Sequence, residues 1–269
     1  MLIISALGVA VGLMLGLTGA GGGIFAVPAL VLGMHWSMTQ AAPIALIAVG
    51  LAALTGALDG LRKRQTRYKA AFLMALAGTA TAPMGLLVAR QLPEYLLMLL
   101  FCAIMLIVAY RMLKPLLGLG SPADPTQPKP CQLNAQTGKF VWTRSCTLTI
   151  GAIGAVTGFF TGLLGVGGGF LIVPALQRYT QLSLHSIVST SLMVIALVSA
   201  NTVLFTLWRE PVVPAGTWFF VLLVIVGMVL GRLLTPRLSA RLIQGAFVIL
   251  CLLAALVVGC EALYALLST

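Results

Sequence analysis

Two runs of three glycines hold the most informative chemistry in this chain: Gly21, Gly22 and Gly23, then Gly167, Gly168 and Gly169. Each run removes three side chains in succession, which bares backbone N–H groups and permits positive φ. Apolar residues follow and open a short helix, Ile24 after the first run and Phe170 after the second. A helix start has free N–H donors and a partial positive charge. Behind a glycine run it forms a seat for an anion without any lysine or arginine. No Lys-Ser/Thr pair follows the glycines, so neither run is a Walker loop. Nor is either a dinucleotide fingerprint, which needs a preceding strand. Close helix packing is the competing reading of glycine. It suits Gly8, Gly12 and Gly16, and Gly154, Gly158 and Gly162, because these are spaced four apart.

The two runs are copies of one segment. Residues 16–30, GLTGAGGGIFAVPAL, match residues 162–176, GLLGVGGGFLIVPAL, at ten of fifteen positions with a constant offset of 146. Gly19 falls on Gly165, and Pro28 falls on Pro174, where each proline is expected to kink its helix. Outside the motif, Gly85 falls on Gly231 and Phe101 on Phe247. The register of the glycines identifies an internal duplication.

Few other polar residues interrupt the apolar segments. Ser189, Thr190 and Ser191 lie early in one segment of the second half, and Asn201 lies further along it. Hydroxyls and amides donate to the oxygens of an anion; they also bond to the preceding helical turn. Pro43 stands where Ser189 would have its counterpart, so this cluster belongs to one half only. Of the acidic residues Asp59, Glu94, Asp124, Glu210 and Glu261, all but the last fall at segment ends or in a linker. None is placed as a buried carboxylate suited to coupling protons or sodium. His35 and His185 flank the short helices and read as interfacial residues. The five cysteines have no metal-ligand spacing, and Cys102, Cys131, Cys146, Cys251 and Cys260 are read as packing residues. A thiol in the polar linker could be reactive. The residues imply no metal, no cofactor and no catalytic acid–base pair.

The elements that must position these groups follow from composition. The chain has 269 residues, 60% hydrophobic and 8% charged. A soluble domain carries about 25% charged residues. The apolar stretches reach the roughly 20 residues that a spanning helix needs. The expected fold is an all-α polytopic membrane protein with two inverted-topology repeats. Each repeat has a glycine-broken or re-entrant hairpin followed by about three transmembrane helices. The first repeat covers 1–117, a Pro/Gly-rich linker 118–145, and the second repeat 146–269. The apolar N-terminus lacks a basic region and a cleavage site and is read as a retained membrane segment.

Charge orients the repeats. The loop at 62–69 holds five Lys/Arg and is placed in the cytoplasm, together with the linker. With inverted halves, fourteen of the sixteen Lys/Arg fall inside and only Arg90 and Arg209 outside. Parallel halves give eleven against five. The net charge of +11 is thus a signature of membrane orientation and not of a nucleic-acid partner. Inverted repeats with broken helices are a recurring plan of secondary transporters, whose sites lie near the midplane.

The paired glycine segments ending in VPAL, the TSL at 190–192 and the central polar linker resemble the TauE/SafE sulfite exporter family, also called TSUP. The resemblance implies a multi-pass permease of the bacterial inner (cytoplasmic) membrane. It implies a small sulfur oxyanion or sulfonate as substrate, with the lipid bilayer as the other partner and no cofactor. The candidate substrate-binding residues are Gly19, Gly21, Gly22, Gly23, Ile24, Pro28, Gly165, Gly167, Gly168, Gly169, Phe170 and Pro174, with Ser189, Thr190, Ser191 and Asn201. Export of the anion is the leading expectation. Uptake of thiosulfate- or sulfate-like anions, or a non-transporting membrane scaffold subunit, are the alternatives. A leucine at Gly22 or Gly168 is expected to abolish transport while leaving the protein in the membrane.

Overall fold

The computed structural model describes residues 2–19, 22–34, 36–116, 130–132, 140–209, 217–235 and 240–267. They form ten helices: α1 (Leu2–Thr18), α2 (Gly22–Met34), α3 (Met38–Arg62), α4 (Tyr68–Gln91), α5 (Glu94–Leu116), α6 (Arg144–Leu164), α7 (Gly169–Tyr179), α8 (Leu184–Arg209), α9 (Thr217–Leu234) and α10 (Ala240–Leu267). Among the described residues, seven helices are long and apolar enough to cross a membrane. Large apolar side chains such as Leu58, Phe72, Leu204 and Leu256 stand exposed on the outside of the bundle. Lipid is the solvent that such a surface fits.

The two short helices fold back on their predecessors. A methyl group at Gly22 would press on Val11 and Leu15, and one at Gly33 on Leu7, so α2 runs antiparallel to α1. Gly168 likewise stands against Thr157 and Thr161, while Tyr179 at the other end of α7 lies beside residue 131, which is tied to the start of α6. With 13 and 11 residues, α2 and α7 extend about 20 Å and 16 Å at 1.5 Å per residue, less than the roughly 30 Å of hydrocarbon. Both pairs are hairpins.

The offset of 146 governs the packing as well as the sequence. Gly154, Gly158 and Gly162 of α6 lie against Met74, Gly78 and Ala82 of α4, in parallel. Gly8, Gly12 and Gly16 of α1 lie against Phe220, Val224 and Met228 of α9, and each of these positions is its α4–α6 counterpart displaced by 146. Absent side chains let the backbones touch, and Thr81 Oγ1 donates across α4 and α6 to the Ala155 carbonyl at 2.7 Å. The equivalent helices α3 and α8 pair with each other. Gly50 meets Ser199, Gly56 meets Leu192 and Gly60 meets Ser189, so α3 and α8 run antiparallel. The pair α5 and α10 also meets, where Cys102 Sγ lies 3.2 Å from the Ala255 carbonyl.

One reading of the cysteines is corrected. Cys131 and Cys146, taken as separate packing residues, are joined by a disulfide. It anchors the described part of the linker at the end of α7, where the Cys131 N–H donates to the Tyr179 carbonyl at 3.2 Å. Nothing in residue spacing distinguished this pair, because only the return of α7 brings residue 131 over the start of α6.

The glycine contacts make a direct forecast. Gly158→Ala forces a methyl into the backbone of Gly78 and is expected to destabilise by about 1–3 kcal/mol. Gly151, on the same helix, has nothing within 4 Å of the added carbon. Gly151→Ala is expected to be neutral or to stabilise by a few tenths of a kcal/mol up to about 1 kcal/mol. Thermal denaturation of the two purified variants in detergent checks the contrast.

Candidate functional site

Both hairpins turn by the same device. The Gly19 N–H donates to the Leu15 carbonyl at 2.8 Å, and the Gly165 N–H to the Thr161 carbonyl at 2.9 Å. Gly19 has φ +67° and Gly165 φ +70°. Left-handed glycines of this kind end helices and satisfy a terminal carbonyl. The tips then cross into the opposite repeat. Gly19 abuts Val188 of α8, and Gly165 abuts Ala42 of α3, again a pair related by 146. A methyl at Gly23 would collide with the Val166 carbonyl, so the two tips touch each other between α3 and α8.

The predicted residues divide into three groups in this arrangement. Gly22, Gly23, Ile24, Gly165, Gly167, Gly168, Gly169 and Phe170 are buried at or beside the tips, while Gly21 lies outside the described residues. Gly22 and Gly23 let backbones approach; Gly168, with φ +63°, caps α7 without a side-chain hydrogen bond. Pro28 and Pro174 sit inside α2 and α7, and Pro174 lines a groove of about 430 Å³ between α5, α6 and α7. The polar cluster of α8 is engaged within the protein. Ser191 Oγ shares its proton between the Val188 carbonyl at 2.8 Å and the Gly19 carbonyl at 2.9 Å, Thr190 Oγ1 donates to the Ser186 carbonyl at 2.6 Å, and Asn201 Nδ2 lies 3.5 Å from the Thr79 carbonyl. Ser189 Oγ accepts from Arg232 at 3.3 Å. These hydroxyls hold the first hairpin tip and a guanidinium in place.

One polar group at the tips has no partner. Ser199 Oγ is fully buried beside Gly167, with Val49 and Ile195 around it, and makes no hydrogen bond among the described residues. A buried hydroxyl left unpaired costs free energy unless something completes it. In sequence Ser199 is one of three polar residues, with Asn201 and Thr202, and nothing in their spacing marks which of them turns toward the tips.

A second missed group is charged. A cavity of about 450 Å³ begins at Gly16, Leu17 and Thr18, beside the first tip, and is lined by Lys63, His185 and Arg232. Among the described residues no acidic side chain lines it. Arg232 of α9 reaches into the α3–α8 seam, where it donates to the Gly56 carbonyl and to Ser189, and Asp59 Oδ2 lies 3.4 Å from its Nε. The same carboxylate oxygen takes Lys63 Nζ at 3.0 Å. The charge of Arg232 reads in sequence as one more cytoplasmic flank residue, since a position at the end of a span does not tell which way a long side chain turns.

Such a bundle, with two broken hairpins meeting between an antiparallel helix pair and a cationic cavity beside the end of α1, is that of a multi-pass membrane transporter. A family model described as "Sulfite exporter TauE/SafE" matches residues 4–258, and the chain belongs to the TauE/SafE family. Two relatives, from the Temecula1 and 9a5c strains of Xylella fastidiosa, carry the description "Probable membrane transporter protein". Each is 31% identical over 235 residues, covering 86% of this chain and 83% of its own length. No solved structure matches.

The geometry alters what substitutions at the glycines report. A leucine at Gly22 would separate α2 from α1 at Leu15, so Gly22→Leu is expected to lower the yield of folded protein as well as transport. Ser191→Ala removes one donor to the Gly19 carbonyl and is expected to cost about 1–2 kcal/mol of stability. Melting of the variant in detergent against the wild type measures it.

Proposed function

We propose that the protein exports a small oxyanion, sulfite or an organosulfonate, across the bacterial inner membrane through a midplane site at the two hairpin tips. The cavity carries the proposal: it is lined by two cations and no carboxylate, and it opens beside Gly16–Thr18 at the first tip. The position equivalent to Arg232 in the first repeat is Leu86 and that equivalent to Asp59 is Phe205, while Lys63 corresponds to Arg209, so the arginine–aspartate pair is built on one side only. That side bears the basic loop at 62–69, which positive-inside orientation assigns to the cytoplasm. The antiparallel course of the equivalent helices α3 and α8 supports inverted repeats, and with them an anion-collecting mouth facing inward.

Energetics favour the outward direction. Moving one negative charge out of a cell that is negative inside gains about 2.3 kcal/mol per 100 mV. Asp59 is the carboxylate nearest the cavity and is already engaged by Lys63 and Arg232. Export therefore runs on the membrane potential, with no coupling ion required. Ser199 and the uncapped start of α7 supply the donors at the tips, a hydroxyl and backbone N–H groups.

Purified protein in liposomes is expected to move sulfite toward the positive side of an imposed potential. Ser199→Ala is expected to slow that flux by about tenfold, the cost of one hydrogen bond to a charged group, and to leave the melting temperature unchanged or raised. Accumulation only toward the negative side would establish uptake instead, and no flux of sulfite, thiosulfate or sulfate would indicate a scaffold subunit. The cytoplasmic assignment of the linker makes a separate forecast. Cytosolic thiols are kept reduced. Cys131 and Cys146 are thus expected as free thiols in growing cells and as the disulfide in membranes oxidised after isolation. Size shift with a polymer-linked maleimide, before and after oxidation, reads the difference.

A further inference from the structure

We propose that Asp59 is a tethered competitor of the transported anion: its carboxylate holds the seat made by Arg232 and Lys63, and a small oxyanion must displace it. The proposal rests on the anion-export reading above. It comes from how Arg232 distributes its donors. Two of them go to the Gly56 carbonyl and the Ser189 hydroxyl, which are neutral and fixed on α3 and α8. These partners hold the guanidinium in position but leave its charge uncompensated. The third faces Asp59, which shares one oxygen, Oδ2, between Arg232 Nε at 3.4 Å and Lys63 Nζ at 3.0 Å.

Two cations therefore share one carboxylate. The Arg232 side chain is 19% exposed, Asp59 36% and Lys63 59%, so the fixed charge lies inside and its counter-ion at the water boundary. An ion pair this exposed is weak and exchangeable. Sulfite and sulfonate oxygens accept from a guanidinium as a carboxylate does, and the planar fork makes arginine the residue for that task. The fit is prepared by α3. A methyl at Gly56 would press first on Met228 and Leu192 and then lie 3.1 Å from Arg232 Nη1, and one at Gly60 would lie 2.7 Å from Ser189 Cβ, so α3 is bare where the guanidinium and its hydroxyl partner meet it.

Tethering also serves the empty carrier. A partly buried cation without a partner is costly. With the seat vacant, Asp59 neutralises Arg232; with an oxyanion bound, Asp59 is released toward Lys63 and water. The empty and loaded states then carry similar charge around the guanidinium.

Calorimetric titration of the purified full chain in low salt, with sulfite, thiosulfate and sulfate as parallel probes, tests this. Asp59→Asn is expected to bind sulfite about tenfold more tightly than wild type, the scale of removing one competing charge. Arg232→Gln is expected to abolish binding in both the wild-type and Asp59→Asn backgrounds. Lys63→Gln leaves Asp59 to Arg232 alone and is expected to weaken binding several-fold, which provides a second reading should Asp59→Asn fail to fold. Unchanged or weaker binding by folded Asp59→Asn, or unchanged binding by Lys63→Gln, overturns the tethered competitor while leaving anion export standing. If neither wild type nor Asp59→Asn binds any of the three anions, the export reading falls and the proposal with it.

Discussion

The structure depends on breaking two helices inside a membrane without leaving backbone polar groups bare. Hydrocarbon offers no hydrogen bonds, so a helix end at membrane depth must find its partners within the protein. Left-handed Gly19 and Gly165 close their helices onto Leu15 and Thr161, and the tips are then buried against the opposite repeat. Each hairpin is completed by the other half of the chain: Gly19 by α8, Gly165 by α3, and the two tips by each other through Gly23 and Val166. Neither repeat could bury its own break, which is a physical reason for duplication. The close parallel contacts of α1 with α9 and of α4 with α6 exchange the hairpins between halves in the same way.

On this symmetric frame the chain places an asymmetric charge. Arg232, Asp59, Lys63 and Ser189 gather at one end of the α3–α8 seam; the positions related to Arg232, Asp59 and Ser189 are Leu86, Phe205 and Pro43, and only Lys63 has a charged counterpart, Arg209. Symmetry suits a site that must face two sides in turn. Asymmetry suits a substrate collected from one side. The hydroxyls of α8 belong to the frame, since Ser191 links its own helix to the first tip through the Val188 and Gly19 carbonyls and Thr190 both bonds its own helix and accepts from the Arg67 N–H at 3.1 Å.

The helical membrane class and the duplication at an offset of 146 were both readable from the chain alone. This is because burial in lipid demands long apolar runs and because the left-handed turns and backbone contacts tolerate only glycine. The two short helices were legible as well, but they begin at Gly22 and Gly169, so glycines expected ahead of each helix form its first turn. Which task each glycine performs was not legible. Gly22 and Gly23 serve backbone approach, and Gly19, Gly165 and Gly168 serve left-handed turns, a division set by neighbours as distant in sequence as Val188 is from Gly19. The Cys131–Cys146 disulfide, the unpaired Ser199 and the Arg232–Asp59–Lys63 cluster were decided by tertiary structure alone. Each depends on the direction of a side chain across a helix seam, and periodicity records which residues are apolar but not which partner an isolated polar one will meet.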